Sequence, residues 1–370
     1  IQTVTDHRMV ISLSAEQSVL WDQFRYSGRP EDFSWILPIR DGNQVRIELA
    51  ENQFLSAPDN LTAPILNTPP RPPSFCSDGF RFASSDSAGG TAPNAFTDAG
   101  VSVLREETVG PYATVTLRST DPMALRDWLR NNGYVIPAPV GPVIDYYVQQ
   151  RMDFVALRLR PNQGIDRMQP VRVITPGMNP TLPLRMISAG IADKVGLLLM
   201  VIASSRYEAQ NFPNGEISNQ NLTFDFDNPT VPADDFRAAF DRINRANGNR
   251  AWVTESSARM NRFTLENQVL FGSTPGGPRP TPANADDVRL AFAPLGETAT
   301  VTRLRADLGV SNLDRDLILA ASMRPDRDRN YAYGTVRNTP PDPCVGPIAE
   351  YQGCSTSGTS SSPVGALLVA

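Results

Sequence analysis

Histidine, cysteine and paired carboxylates carry most hydrolytic, redox and metal chemistry, and this chain is short of the first two. His7 is the sole histidine, and the cysteines are Cys76, Cys344 and Cys354. A Ser-His-Asp arrangement or a multi-histidine metal site would depend on His7 alone, at a position expected to fray. The cysteines lack C-x-x-C spacing, which removes zinc-finger and thioredoxin-like readings. Gly272-Ser-Thr-Pro-Gly-Gly277 lacks the lysine and the strand–helix setting of a phosphate cradle.

Carboxylate chemistry needs no histidine, and Glu106-Glu107 and Asp234-Asp235 are the adjacent pairs to weigh. Neighbours in a strand face opposite ways and cannot flank one bond, while acids at a helix start are explained by the helix dipole. Asp225, Asp227 and Asn228 have some calcium-ligand character but lack the glycine and terminal glutamate of an EF-hand loop. Asp326, Asp328 and Asn330 share the spacing, with Arg327 and Arg329 interleaved. No residue is therefore assigned a catalytic, cofactor-binding or metal role, and no cofactor is expected. One covalent link is: Cys344 and Cys354 lie close enough in a Pro/Gly-rich segment to close a small disulfide loop, which implies an oxidising compartment. Cys76 is a buried thiol or pairs outside the sequence given.

The elements that must position any site centre on residues 101–160. Val101–Glu107 and Tyr112–Arg118 read as a hairpin around Gly110-Pro111, with Ala113, Val115 and Leu117 on a core face. Asp121-Pro122 starts a helix that carries Leu125, Trp128 and Leu129, and Gly133 stops it. A second helix follows Gly141-Pro142, and Phe154–Leu159 makes a third strand. Two helices over one face of this sheet leave its other face for more strands. Ahead of this unit, residues 8–13, 18–26 and 32–39 suggest an antiparallel meander, and residues 56–100, with Pro69-Pro-Arg-Pro-Pro73, a long excursion. Beyond it, 171–174, 182–187 and 195–203 read as strands extending the same sheet, 221–226 as a weaker strand, and 234–247 as an amphipathic helix. Residues 288–292 and 298–305 carry the remaining order.

The expected class is α+β: largely antiparallel β-sheets, a few short helices packed on one face, and long Pro/Gly-rich loops. The expected division is 1–55 (N-terminal β-meander), 56–100 (Pro/Ser/Gly-rich excursion), 101–325 (central α+β body, one fold with 1–55 or separate from it) and 326–370 (surface coil and Ser/Thr/Gly tail). At 370 residues a sizeable core is available, and 33 prolines is roughly twice the usual share of about 5%. The net charge of −5 argues against nucleic acid as a partner. Lys194 is the only lysine, so arginine supplies nearly all positive charge, through bidentate anion recognition or through compositional bias. The chain opens at Ile1, which suggests a processed or truncated product. Its end, Val364–Ala370, reads as the start of a membrane anchor or as a frayed tail.

Asp32-Phe-Ser-Trp-Ile-Leu-Pro38, Leu125-Arg-Asp-Trp-Leu-Arg-Asn-Asn-Gly-Tyr134, Arg206-Tyr-Glu-Ala-Gln-Asn-Phe-Pro213 and Thr302-Arg-Leu-Arg305 resemble the bacterial family called domain of unknown function 2330. The likeness spans most of residues 8–320. It implies a secreted or envelope protein, periplasmic or on the outer surface, and no catalytic residue carries over. The function expected is a non-enzymatic structural or accessory subunit, or a binding module, of a larger extracytoplasmic assembly with other protein subunits as partners. The alternative is a carboxylate-dependent hydrolase of envelope polysaccharide, with Trp21, Trp35 and Trp252 to stack on sugar rings.

Overall fold

Alternating residues at the start of the chain form a hairpin, β1 (Thr3–Leu13) and β2 (Gln17–Ser27), turned at Ser14, whose hydroxyl accepts the amides of Glu16 and Gln17. The protein, seen here as a computed structural model, is described over residues 3–27, 29–70, 101–188, 191, 193–272 and 281–339. β3 (Ser34–Ile39), β4 (Arg46–Leu49), helix α1 (Asn52–Thr62) and β5 (Ile65–Asn67) follow the hairpin. Then come β6 (Ser102–Val109), β7 (Tyr112–Arg118), α2 (Pro122–Asn131), α3 (Val140–Gln149) and β8 (Asp153–Leu159). The next stretch carries β9 (Val171–Pro176), β10 (Thr181–Leu182), α4 (Leu184–Ser188), β11 (Lys194–Ala203), β12 (Tyr207–Ala209) and β13 (Asn214–Glu216). β14 (Thr223–Asp225), α5 (Pro232–Ala246), β15 (Trp252–Asn261), α6 (Arg262–Phe271) and α7 (Asp286–Phe292) precede the long β16 (Thr298–Gly309). β17 (Leu317–Ala321), β18 (Asn330–Ala332) and β19 (Thr335–Arg337) complete the order.

The fold is α+β, with mostly antiparallel sheets. Eight strands run in the order β13-β15-β16-β11-β1-β2-β9-β4, and a second sheet runs β3-β8-β7-β6. β1 lies parallel to β11 and antiparallel to β2, so the first strand sits inside the large sheet. One face of that sheet shares a core with α1, α6 and α7 around Trp21, Phe54, Leu265 and Phe292. The other packs Met9, Leu199 and Leu304 under Leu182, Tyr207 and Leu317.

The four-stranded sheet is buried on both sides. Val115, Leu117 and Ala156 meet Leu125, Trp128, Leu129 and Ile144 of α2 and α3, each fully buried large apolar side chain contributing about 1.5–3 kcal/mol. Tyr112, Val155 and Leu157 meet Ile47, Val171 and Val173 of β4 and β9, which joins the two sheets. Thr114 and Thr116 are buried as well, so β7 hides both faces. Asp121 caps α2 by accepting the Met123 amide at 2.8 Å, and Gly133 ends it at φ +76°, where a side chain would be strained.

Several expectations need correction. The opening meander breaks after β2: β3 crosses to the other sheet and pairs with β8, because Ile36 fills one core and Leu37 and Ile39 the other. β9 and β11 flank the β1–β2 hairpin instead of extending the central unit. Residues 182–187 do not form one strand, since Pro183 separates the β10 bridge from α4. The excursion read from residue 56 gives its first seven residues to α1, where Pro58 is itself buried. The segment from 326 is not all surface coil: β18 and β19 pair with β5 and β14, and Tyr331 is buried.

Candidate binding site

Three neighbouring strands of the smaller sheet present a charged group, a small floor and a charged group in turn. In the register, Glu106 of β6 faces Val115 of β7, and Ala113 of β7 faces Arg158 of β8. Val115 shares the face on which α2 packs. Trp128 of α2 and Tyr134, just past its end, form the wall of a cavity of about 230 Å³ between them and the strands. Their rings lie 6.3 Å apart and near parallel, at 27°. Tyr134 is aimed there by the helix terminus: its amide returns to the Leu129 carbonyl at 2.9 Å, beyond the left-handed turn at Gly133.

Both charges act on the Tyr134 phenol. Burial pushes its pKa up to about 12, with Arg158 opposing and Glu106 adding to the rise. The Arg158 guanidinium lies 5.7 Å from the ring centre, within cation–π range. Arg158 and Glu106 form no ion pair among the described residues. The cavity thus brings together opposite charges, an aromatic wall and, beside Ala113 and Val115, the polar Thr114 and Asn132.

Elsewhere, charge is neutralised within the fold. Glu255 and Arg303, 2% and 3% exposed, meet at 2.6 Å inside the large sheet. Arg303 also reaches Asp59 at 2.6 Å, and Arg305 reaches Glu255. Burial alone would raise the Asp59 pKa, but Arg303 and Arg8 together hold it below the usual value. Asp287 accepts from Trp21 Nε1, Arg172 and the Glu51 amide, pinning α7 to both β2 and β9. Arg206 is spent on Glu216. Burial raises the Asp316 pKa while the Tyr147 hydroxyl, donating from 2.5 Å away, opposes the rise, and the contact ties α3 to the residue before β17.

His7 does not fray. It lies within β1, 6% exposed, with Nδ1 3.2 Å from the buried Asp22 carboxylate, so a His–Asp contact exists that the sequence did not suggest. Glu106 and Glu107 differ in exposure, as neighbours in a strand do: Glu106 lies open at the cavity rim and Glu107 is half-buried. Asp235 in the first turn of α5 accepts the Thr230 and Tyr333 hydroxyls. It also lines a second, shallow polar cleft of about 350 Å³ with Arg242 and Asn221. Asp225 and Asp328 close local turns, accepting the amides of Asp227 and Asn330. Among the described residues no three His, Cys, Asp or Glu side chains are grouped to hold a metal ion. Cys76 and the Cys344–Cys354 pair lie outside the described residues, as does the 364–370 tail. Trp21 and Trp252 are fully buried and cannot stack on a sugar, and Trp35 is half-buried.

From sequence, Trp128 reads as core and Glu106 stands out only beside Glu107. The missed signal was Arg158, a charge on the same face as Phe154 and Ala156. No helix of the described residues is long and apolar enough to cross a membrane. In comparison with known proteins, residues 2–272 match the model of a family described as an uncharacterized protein conserved in bacteria. No curated protein and no solved structure matches.

Proposed function

This chain belongs to the bacterial family of uncharacterised proteins called domain of unknown function 2330, and on that premise we propose that it is a non-catalytic binding module or accessory subunit of an extracytoplasmic assembly. The observation that carries the reading is the cavity at α2, where Arg158, hydrogen-bonded to the Tyr134 phenol, and Glu106 set opposite charges beside an aromatic wall while the buried arginines are consumed by carboxylates of the fold. Pockets with few convergent polar groups and apolar walls are the usual form of small-ligand sites. A place outside the cytoplasm is supported by the spacing of Cys344 and Cys354, which suits a disulfide.

A polysaccharide hydrolase needs two carboxylates roughly 5–10 Å apart across one cleft. The cavity at α2 is lined by Glu106 alone of its acids, and the cleft at α5 by Asp235 alone. The test of binding is thermal unfolding of the purified protein with a fractionated bacterial envelope extract. We expect stabilisation that disappears in the Arg158→Gln, Glu106→Gln double variant. No stabilisation by any fraction, together with a native particle that is strictly monomeric, would count against the reading, and release of reducing sugar ends would replace it with the hydrolase.

A further inference from the structure

We infer that the cavity at α2 takes a free α-amino acid with an apolar side chain, its carboxylate on Arg158, its ammonium facing Glu106 and its side chain against Trp128 and Val115. This rests on the reading of the cavity as a binding site and names the ligand class. Adjacent strands lie roughly 4.8 Å apart, so β6 and β8, one on each side of β7, are about 9.6 Å apart. Glu106 and Arg158 also sit on successive rows of one face, opposite Val115 and Ala113, and both side chains line the cavity. Two charge-assisted hydrogen bonds of roughly 2.8 Å each fill much of that span, which leaves between the heads a group with its own opposite charges close together.

The chemistry of the ends then selects the ligand. A guanidinium presents a planar fork that matches a carboxylate in two places, and a carboxylate accepts an ammonium but repels an anion. A ligand with only one charge engages either Arg158 or Glu106, whereas a ligand carrying both charges engages the two at once. The remaining lining is mixed: Thr114 and Asn132 are polar, while Trp128, Tyr134, Val103 and Val115 supply the hydrocarbon and ring faces against which an apolar side chain can lie. A cavity of about 230 Å³ is of a size to hold one amino acid. Both charges belong to side chains that reach solvent, which gives the ligand a way in.

The probe is L-leucine, titrated calorimetrically into the intact protein beside leucinamide, which lacks the carboxylate, and N-acetyl-leucine, which lacks the ammonium. The expected result is saturable binding of L-leucine or L-phenylalanine, at least tenfold weaker binding of both single-charge analogues, and a further tenfold loss on Arg158→Gln. Because the analogues test charge on the unaltered protein, the result does not depend on a variant folding. Equal binding of N-acetyl-leucine overturns the zwitterion in favour of a simple anion. No binding of any apolar amino acid also overturns the inference; if an envelope fraction still stabilises the protein and the double variant abolishes that effect, the site stands and only the ligand class falls. Failure of both experiments removes site and ligand together.

Discussion

Arg303 shows what a single side chain does in this fold. It carries a charge into the middle of an eight-stranded sheet and is held there by Glu255 and Asp59, each at 2.6 Å. Removing one partner leaves a buried charge unmatched, so Glu255→Ala should cost about 3–5 kcal/mol, read as a lower urea midpoint with the slope unchanged. Asp59 makes the same network sensitive to acid. Its carboxyl titrates below the usual 3.8 in the folded protein, so its stabilising contribution is complete above 3.8 and is lost as the pH falls through the lower folded value. Asp59→Asn should be less stable than the parent at neutral pH, and the gap should close below pH 3.8 in a series of urea titrations. A gap that widens in acid would contradict this assignment.

At the scale of elements, α2 is where local signals and tertiary packing agree. Asp121 before Pro122 marks its start and Gly133 its end, and its apolar stripe is the one the sheet receives. Asp121→Ala should cost about 1 kcal/mol through the lost cap, measurable by thermal denaturation. Gly110 is constrained more severely, because its φ is +55° and an added Cβ would come within 2.4 Å of Leu49. Gly110→Ala should therefore destabilise the protein by more than the loss of the cap does, and equal effects would show that Leu49 gives way. Elements whose sequence contradicts their local pattern were the ones sequence reading lost. In α6 the buried Leu265 and Val269 are joined by exposed Phe263 and Phe271, so no single apolar stripe marks it as helical. In α1, Pro58 reads as a breaker, but Phe54, Leu55 and Ala57 pack the helix on the sheet regardless. The cavity was legible only in pieces, since Glu106 and Arg158 become neighbours through the register of β7 between them.

For the whole molecule, the two sheets share one core, because Val155 and Leu157 of the smaller sheet meet Val171 and Val173 of the larger. Unfolding should accordingly follow one transition, seen alike by tryptophan fluorescence and far-ultraviolet dichroism. A fragment of residues 101–160 should not fold by itself, since its edge strand β3 comes from residues 34–39 and its second face would meet water. Well-dispersed amide resonances from that fragment would refute this. No periodicity announces such sharing: the strands of 171–203 look, residue by residue, as suited to one sheet as to the other. The parallel seam between β1 and β11 sets a timetable. At about 5–20 residues per second of synthesis, β1 waits roughly ten to forty seconds before β11 emerges from the ribosome, with its hairpin to β2 formed and its other flank open. During that wait the flank of β1 that β11 will cover keeps its backbone donors and acceptors unpaired, an edge to which another strand can add until the seam closes.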